Sequence, residues 1–184
     1  MNILGHQSPS PWTKGEKFAR LAWLVVQGTL FRFSPRPFHG WRLFLLRFFG
    51  ARIAHAAVSP RIMPSARVHF PWKLELQEGS MVGPGVHVYN LAQVTLRRGA
   101  NLSQGVHLCA GTHDFSRWEM PLVAQPIEVG ENAWVAAEAF VGPGVSIGEL
   151  CVIGARSVVM RSVPPRTVAA GNPCRPIRNR DEPR

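Results

Sequence analysis

Apolar residues recur along this chain at intervals of six. Leu76, Val82, Val88, Val94, Ala100 and Val106 form one series; Val129, Val135, Val141, Ile147, Ile153 and Val159 form a second. A period of six fits neither the 3.6-residue helical repeat nor the alternation of an ordinary strand. A small residue directly follows the aliphatic one at Gly83, Gly130, Ala136, Gly142, Gly148 and Gly154. Another small or branched residue stands four places on, at Val86, Ala92, Ala110, Ala133, Ala139, Val145, Cys151 and Ser157. The pattern predicts a short strand and a corner, three times per coil. The aliphatic side chain points into a narrow prism and stacks on its equivalent one coil away, and the small residue near the corner avoids a Cβ clash. The chain is therefore expected to be mainly β, with a solenoid over residues 58–165 and a short tail over 166–184.

The two series are out of register. Val106 and Val129 lie 23 residues apart, and the segment 112–126 between them opens Thr-His-Asp-Phe. A repeat interrupted by a polar loop commonly carries function there, which makes His113 the first candidate for chemistry.

Residues 1–57 follow another pattern. Segments 14–33 and 41–49 mix Leu, Val, Trp and Phe with basic residues, Pro35 and Pro37 separate them, and Gly50 ends the second. Two helices are expected. The longest uncharged apolar stretch, residues 21–31, is about half the ~20 residues that a bilayer span needs. Residues 1–11 are polar and lack the marks of a signal peptide. The helices are expected either to pack on the prism or a neighbouring subunit, or to lie on a membrane. Arg, Lys, Trp and Phe together suit an anionic interface, and both placements can hold at once.

Charge sharpens this division. Residues 1–57 hold eight Lys/Arg and one acid, residues 58–154 six and eight, and residues 155–184 seven and two. The repeat body is mildly acidic between two basic ends. No helix-turn-helix, zinc finger or aromatic stacking platform accompanies the charge, so nucleic acid is not an expected partner. The C-terminal Arg156, Arg161, Arg166, Arg175 and Arg178 instead suit multivalent phosphate binding. Three cysteines without a C-x-x-C spacing argue against a disulfide framework or a zinc ribbon and for a reducing compartment.

The second half, from I-E-V-G-E-N-A-W-V through V-I-G-A-R-S-V-V to V-A-A-G-N-P-C-R-P, resembles the hexapeptide-repeat acyltransferases, and among them the sugar O-acetyltransferases. The first half, with F-G-A-R-I, F-P-W-K-L, V-Y-N and G-T-H-D-F, resembles the colanic-acid and exopolysaccharide acetyltransferases. This resemblance implies a left-handed parallel β-helix, a homotrimer, acetyl-CoA as acyl donor with no metal, and a sugar or lipid-linked glycan as acceptor. It implies a cytoplasmic enzyme, with peripheral contact at the inner face of the membrane through the N-terminal segment.

By the same resemblance His113 is the general base, a role suited to a side chain that titrates near neutrality. Asn90 lies near the acceptor, and Asp114 orients His113, binds sugar or simply shapes the loop. Trp134 walls the thioester, the Ala137 N–H serves the oxyanion, and the Ala155 backbone meets the pantetheine arm. Arg161, Arg175 and Arg178 meet the phosphates of coenzyme A. Two departures stand out: Val135-Ala136-Ala137 follows Trp134 where the family has Ile-Gly-Ala or Ile-Gly-Ser, and Met160-Arg161 replaces Thr-Lys. Two other readings stay open. A γ-carbonic-anhydrase-like zinc site would need His87, His107 and His113 to converge with an open position. A non-catalytic trimeric scaffold would keep the fold alone.

Overall fold

The computed structural model describes residues 13–180; the expectation for residues 1–11 lies outside them. The solenoid is a three-sided parallel β-helix of five coils and part of a sixth. Its inward residues stack in three columns. The first face stacks Ile53, Leu76, Leu96, Val129, Ile147 and Val163. The second stacks Ile62, Val82, Leu102, Val135, Ile153 and Ala169. The third stacks Val68, Val88, Leu108, Val141 and Val159. All of them are buried. Each coil also takes its backbone hydrogen bonds from the next, so packing and pairing set the same spacing.

The hexad expectation is right in kind but slips in register. Val94, Ala100 and Val106 are buried, yet they do not take the inward positions that Leu76, Val82 and Val88 hold on the three faces. Val94 pairs with Leu74, and the true successor of Leu76 is Leu96. The step from Val88 to Leu96 is eight residues, so from there the sequence series runs two residues ahead of the inward positions. The corner expectation is also refined. A Cβ at Gly130 would lie 2.6 Å from the Ile147 carbonyl oxygen of the next coil, so this column is kept small by close approach. The left-handed corner residue comes two places later and is not restricted to glycine; Asn132, Glu138 and Arg156 occupy it with φ of 52°, 59° and 58°.

The solenoid is longer than residues 58–165 at both ends. It opens at Arg52–Ile53, which pairs with Glu75–Leu76; nine residues then separate Ile53 from Ile62, so no hexad is visible there. It closes with Thr167–Ala170 on the second face, where Arg175–Asn179 adds an antiparallel strand.

Two helices plug the N-terminal end. Helix α1, Lys14–Val26, starts at a capping box of Thr13 and Glu16 and runs into a π-helical turn, Gln27–Phe31. Trp23 is fully buried and its indole N–H donates to the Val68 carbonyl at 2.6 Å. The Gln27 side-chain oxygen accepts from the Val68 N–H at 2.6 Å. Together they satisfy a first-coil strand that has no coil above it. Helix α2, His39–Phe48, buries Leu43, Leu45 and Leu46 beside them. No helix among the described residues is long and apolar enough to cross a membrane.

Arg42 in α2 is fully buried without a carboxylate. Its guanidinium donates to the carbonyls of Ile62 (2.7 Å), Pro35 (2.8 Å) and Arg36 (2.6 Å) and to the Ser34 hydroxyl (2.9 Å). Lysine cannot reproduce that fork. Arg42→Lys is expected to lower the free energy of unfolding by about 2–4 kcal/mol by leaving buried carbonyls unsatisfied. An unchanged urea midpoint would contradict this role.

Candidate active site

Extra residues accumulate at one edge of the prism, where the third face turns into the first. The first two coils each take eight residues for this corner, from Val68 to Leu76 and from Val88 to Leu96. In the first, Pro71–Lys73 forms a 3-10 turn. Asn90 braces the second. It is fully buried; its Oδ1 accepts from the Phe70 N–H at 3.0 Å, and its Nδ2 donates to the carbonyls of Phe70 (2.6 Å) and Lys73 (3.1 Å). Asn90 therefore holds the edge together, and its amide is engaged by backbone.

The third coil turns the same corner with a hairpin, Gly111–His113 paired with Leu122–Ala124. His113 is exposed on it. Its Nδ1 lies 2.6 Å from the Met120 carbonyl oxygen. A carbonyl only accepts, so Nδ1 carries the proton and the Nε2 lone pair of the neutral ring remains free. Asp114 does not orient His113. Its Oδ1 accepts from the Ser116 N–H (3.0 Å) and hydroxyl (2.5 Å). The hydroxyl bond, then the backbone bond, holds the carboxyl below the usual range. Asp114 thus shapes the loop, and the Met120 carbonyl is the orienting group. Phe115 and Trp118, 88% and 92% exposed, stand at the loop tip.

A second group occupies the second face. Trp134 is 44% exposed and donates from Nε1 to the Ser103 hydroxyl at 2.9 Å. Laterally, Trp134 pairs with Val152, Val152 with Val168, and Val168 with Arg178. Arg175 pairs with Ala170 in the same terminal hairpin. Three strand steps separate Trp134 from Arg178, roughly 14 Å. Ala137 and Ala155 stack one coil apart at the neighbouring corner, where the Ala137 carbonyl accepts from the Arg156 N–H at 2.8 Å. Among the described residues no acceptor within the chain takes the Ala137 N–H.

The predicted residues thus fall into two sets. His113, Asp114 and Asn90 share the third-to-first edge, and Arg161 follows the third-face strand Val158–Val159 at that edge. Trp134, Ala137, Ala155, Arg175 and Arg178 lie on the second face and its corner. Sequence reasoning missed Met120 and Ser103, whose parts depend on contacts across a hairpin and across coils.

The three histidines proposed for zinc do not converge. His87 and His107 stack on the third face with ring centroids 4.6 Å apart, and His87 shares a 2.6 Å Nε2–Nε2 hydrogen bond with His69. His113 is on the hairpin instead. Among the described residues no group of three or more His, Cys, Asp or Glu could hold a metal.

A hexad prism with a histidine-bearing hairpin and a basic terminal strand defines a hexapeptide-repeat transferase. Residues 126–161 match the family described as bacterial transferase hexapeptide (six repeats). Over 181 residues, 98% of both chains, the sequence is 40% identical to the "Putative colanic acid biosynthesis acetyltransferase WcaF" of Escherichia coli K12. A maltose O-acetyltransferase of Clostridium difficile 630 shares the fold with a TM-score of 0.82 at 22% identity, over 92% of this chain and 90% of its own. A galactoside acetyltransferase solved with coenzyme A gives 0.73 at 24% identity, over 94% of this chain and 86% of its own. The chain belongs to the hexapeptide-repeat acetyltransferases, alongside the WcaF proteins.

The histidine row has a measurable consequence. Burial first, then the His87, Arg20, His107 and Arg67 charges, lowers His69 to about 4. Burial followed by Arg67 lowers His87, and burial followed by His87 lowers His107. An unfolded histidine takes its proton near 6.5. Between those values the unfolded chain binds more protons, so stability falls as pH falls through that window and is unaffected above it. His69→Gln is expected to flatten this dependence; equal slopes of urea midpoint against pH in both proteins would refute it.

Proposed function

We propose that this chain transfers an acetyl group from acetyl-CoA to a sugar hydroxyl in surface-glycan assembly. The observation that carries the reading is His113, with its Nδ1 proton directed to the Met120 carbonyl and Nε2 left as a base. Nε2 takes the acceptor's proton as the oxygen attacks the thioester carbonyl. The Ala137 N–H donates to the oxyanion as the tetrahedral adduct forms. The C–S bond then breaks and the thiolate recovers the proton from His113. Attack is direct, with no acyl-enzyme. Trp134 walls the thioester, the pantetheine arm runs past Ala155, and Arg175 and Arg178 hold the phosphates. Arg161 adds a third cation from the other edge.

A homotrimer is part of this proposal. The base and the coenzyme groups lie on different sides of one prism, so the site is completed when one subunit's hairpin meets its neighbour's second face. The acceptor is a sugar carried on a lipid, met at the cytoplasmic side of the membrane. That acceptor fits the basic, apolar N-terminal segment and the name of the relative from Escherichia coli.

The test is acceptor-dependent thiol release from acetyl-CoA over a panel of sugars, nucleotide sugars and lipid-linked sugars. His113→Ala is expected to reduce the rate by roughly 10²-fold or more while acetyl-CoA still binds. An unchanged rate would remove His113 as the base. Failure of the wild-type protein to bind acetyl-CoA would overturn the reading as a whole.

A further inference from the structure

The N-terminal plug has a second apolar face. Helix α1 buries Trp23 against the prism, yet Phe18, Leu21, Leu24 and Val25 are exposed on its other side. Phe33 and Phe48 are 82% and 75% exposed. Between the π-helical turn and α2 lies an open cavity of about 840 Å³, lined by Leu30, Phe33, Phe38, Trp41 and Phe44 among others. It is preformed: the Trp41 indole donates to the Leu30 carbonyl at 3.2 Å, and Trp41 stacks on Phe44 at 5.7 Å. An apolar patch of this extent marks an interaction site.

The segment that carries it is basic. Lys14, Lys17, Arg32 and Arg36 are exposed within the same N-terminal helical region. The single acid in residues 13–57, Glu16, is engaged in the capping box. An apolar face on a basic helical segment, with no helix among the described residues long and apolar enough to cross, fits the interfacial layer of an anionic bilayer.

The face also stands in a useful place. The helices cover the first coil, and the His113 hairpin leaves the third. Two coil steps of about 4.8 Å put the hairpin's root roughly 10 Å from the covered end. The coenzyme groups, from Trp134 to Arg178, lie in later coils, farther from that end.

We infer that this face docks the enzyme on an anionic bilayer, with the cavity between the π-helical turn and α2 admitting a lipid chain, so that a lipid-linked glycan reaches His113 from the membrane side. The choice of acceptor rests on the proposed acetyl transfer; the docking does not. In a trimer, three such faces lie at one end of the molecule and engage together.

The experiment is sedimentation of the full chain with phosphatidylglycerol-containing and with purely phosphatidylcholine vesicles, for wild type and for the double variant Phe33→Asp, Phe44→Asp. Acetyl-CoA binding and solution mass are measured on the same samples. Wild type is expected to sediment with anionic vesicles at least about tenfold better than with zwitterionic ones. The variant is expected to lose that binding while retaining acetyl-CoA binding and mass. Absence of wild-type sedimentation, or a variant that sediments equally, would overturn docking. A variant of smaller mass would also overturn it, identifying the face as a contact between copies. Loss of acetyl-CoA binding by wild type would overturn the acetyl-transfer reading and leave the docking result standing.

Discussion

The structure depends on one constraint: every inward side chain must stack on its equivalent one coil away. The columns of Leu76, Leu96 and Val129, or of Val88, Leu108 and Val141, tolerate no insertion within a strand. One added residue would turn the apolar set outward and break the pairing on both sides. Extra residues can therefore enter only at corners. Of the four inward-to-inward steps longer than six residues, three lie at the third-to-first edge: two extra residues in each of the first two coils and the hairpin in the third. The candidate base sits at that edge because the edge is where the prism permits something other than prism.

The same constraint decides what was legible from sequence. Hexads showed the fold class because the stacking rule writes itself directly into residue type. Register was harder. Val94, Ala100 and Val106 are buried positions two residues before the inward Leu96, Leu102 and Leu108, and they are also apolar, so a two-residue slip after Val88 leaves the six-residue rhythm intact. Arg52–Ile53 was hidden by the nine-residue step that follows it. His113 was legible because it opens the break between the two series, and Trp134 only through the resemblance of N-A-W-V to the sugar acetyltransferases. The group that orients His113 was not legible: it is the Met120 backbone carbonyl, brought round by the hairpin, and backbone carries no sequence signature. Asn90 was expected near the acceptor by resemblance, whereas its bonds to Phe70 and Lys73 one coil away depend on stacking that a linear reading does not supply.

The separation of the two residue sets gives the reaction a direction. The Trp134-to-Arg178 row runs across the second face from the fourth coil toward the C-terminal hairpin, so a coenzyme laid along it as proposed would approach from that end. The His113 hairpin roots one coil earlier, nearer the end that the N-terminal helices cover. In the proposed reaction donor and acceptor would reach one histidine from different sides, which suits direct transfer in a ternary complex better than a mechanism in which one substrate must leave before the other enters.

The N-terminal plug meets two demands that ordinarily conflict. It must bury polar backbone at the open end of the first coil, and it carries exposed apolar surface on a basic segment. A buried arginine is most simply balanced by a carboxylate, and Arg42 has none among its partners. Carbonyls from Ile62, Pro35 and Arg36 satisfy its N–H groups while leaving its positive charge uncancelled. Burial accordingly pulls its pKa down, yet arginine's very high intrinsic value keeps the ion charged. A carboxylate beside Arg42 would place a negative charge near a surface proposed to face anionic headgroups. Using dipoles instead of a counter-ion stabilises the plug without weakening the field outside it.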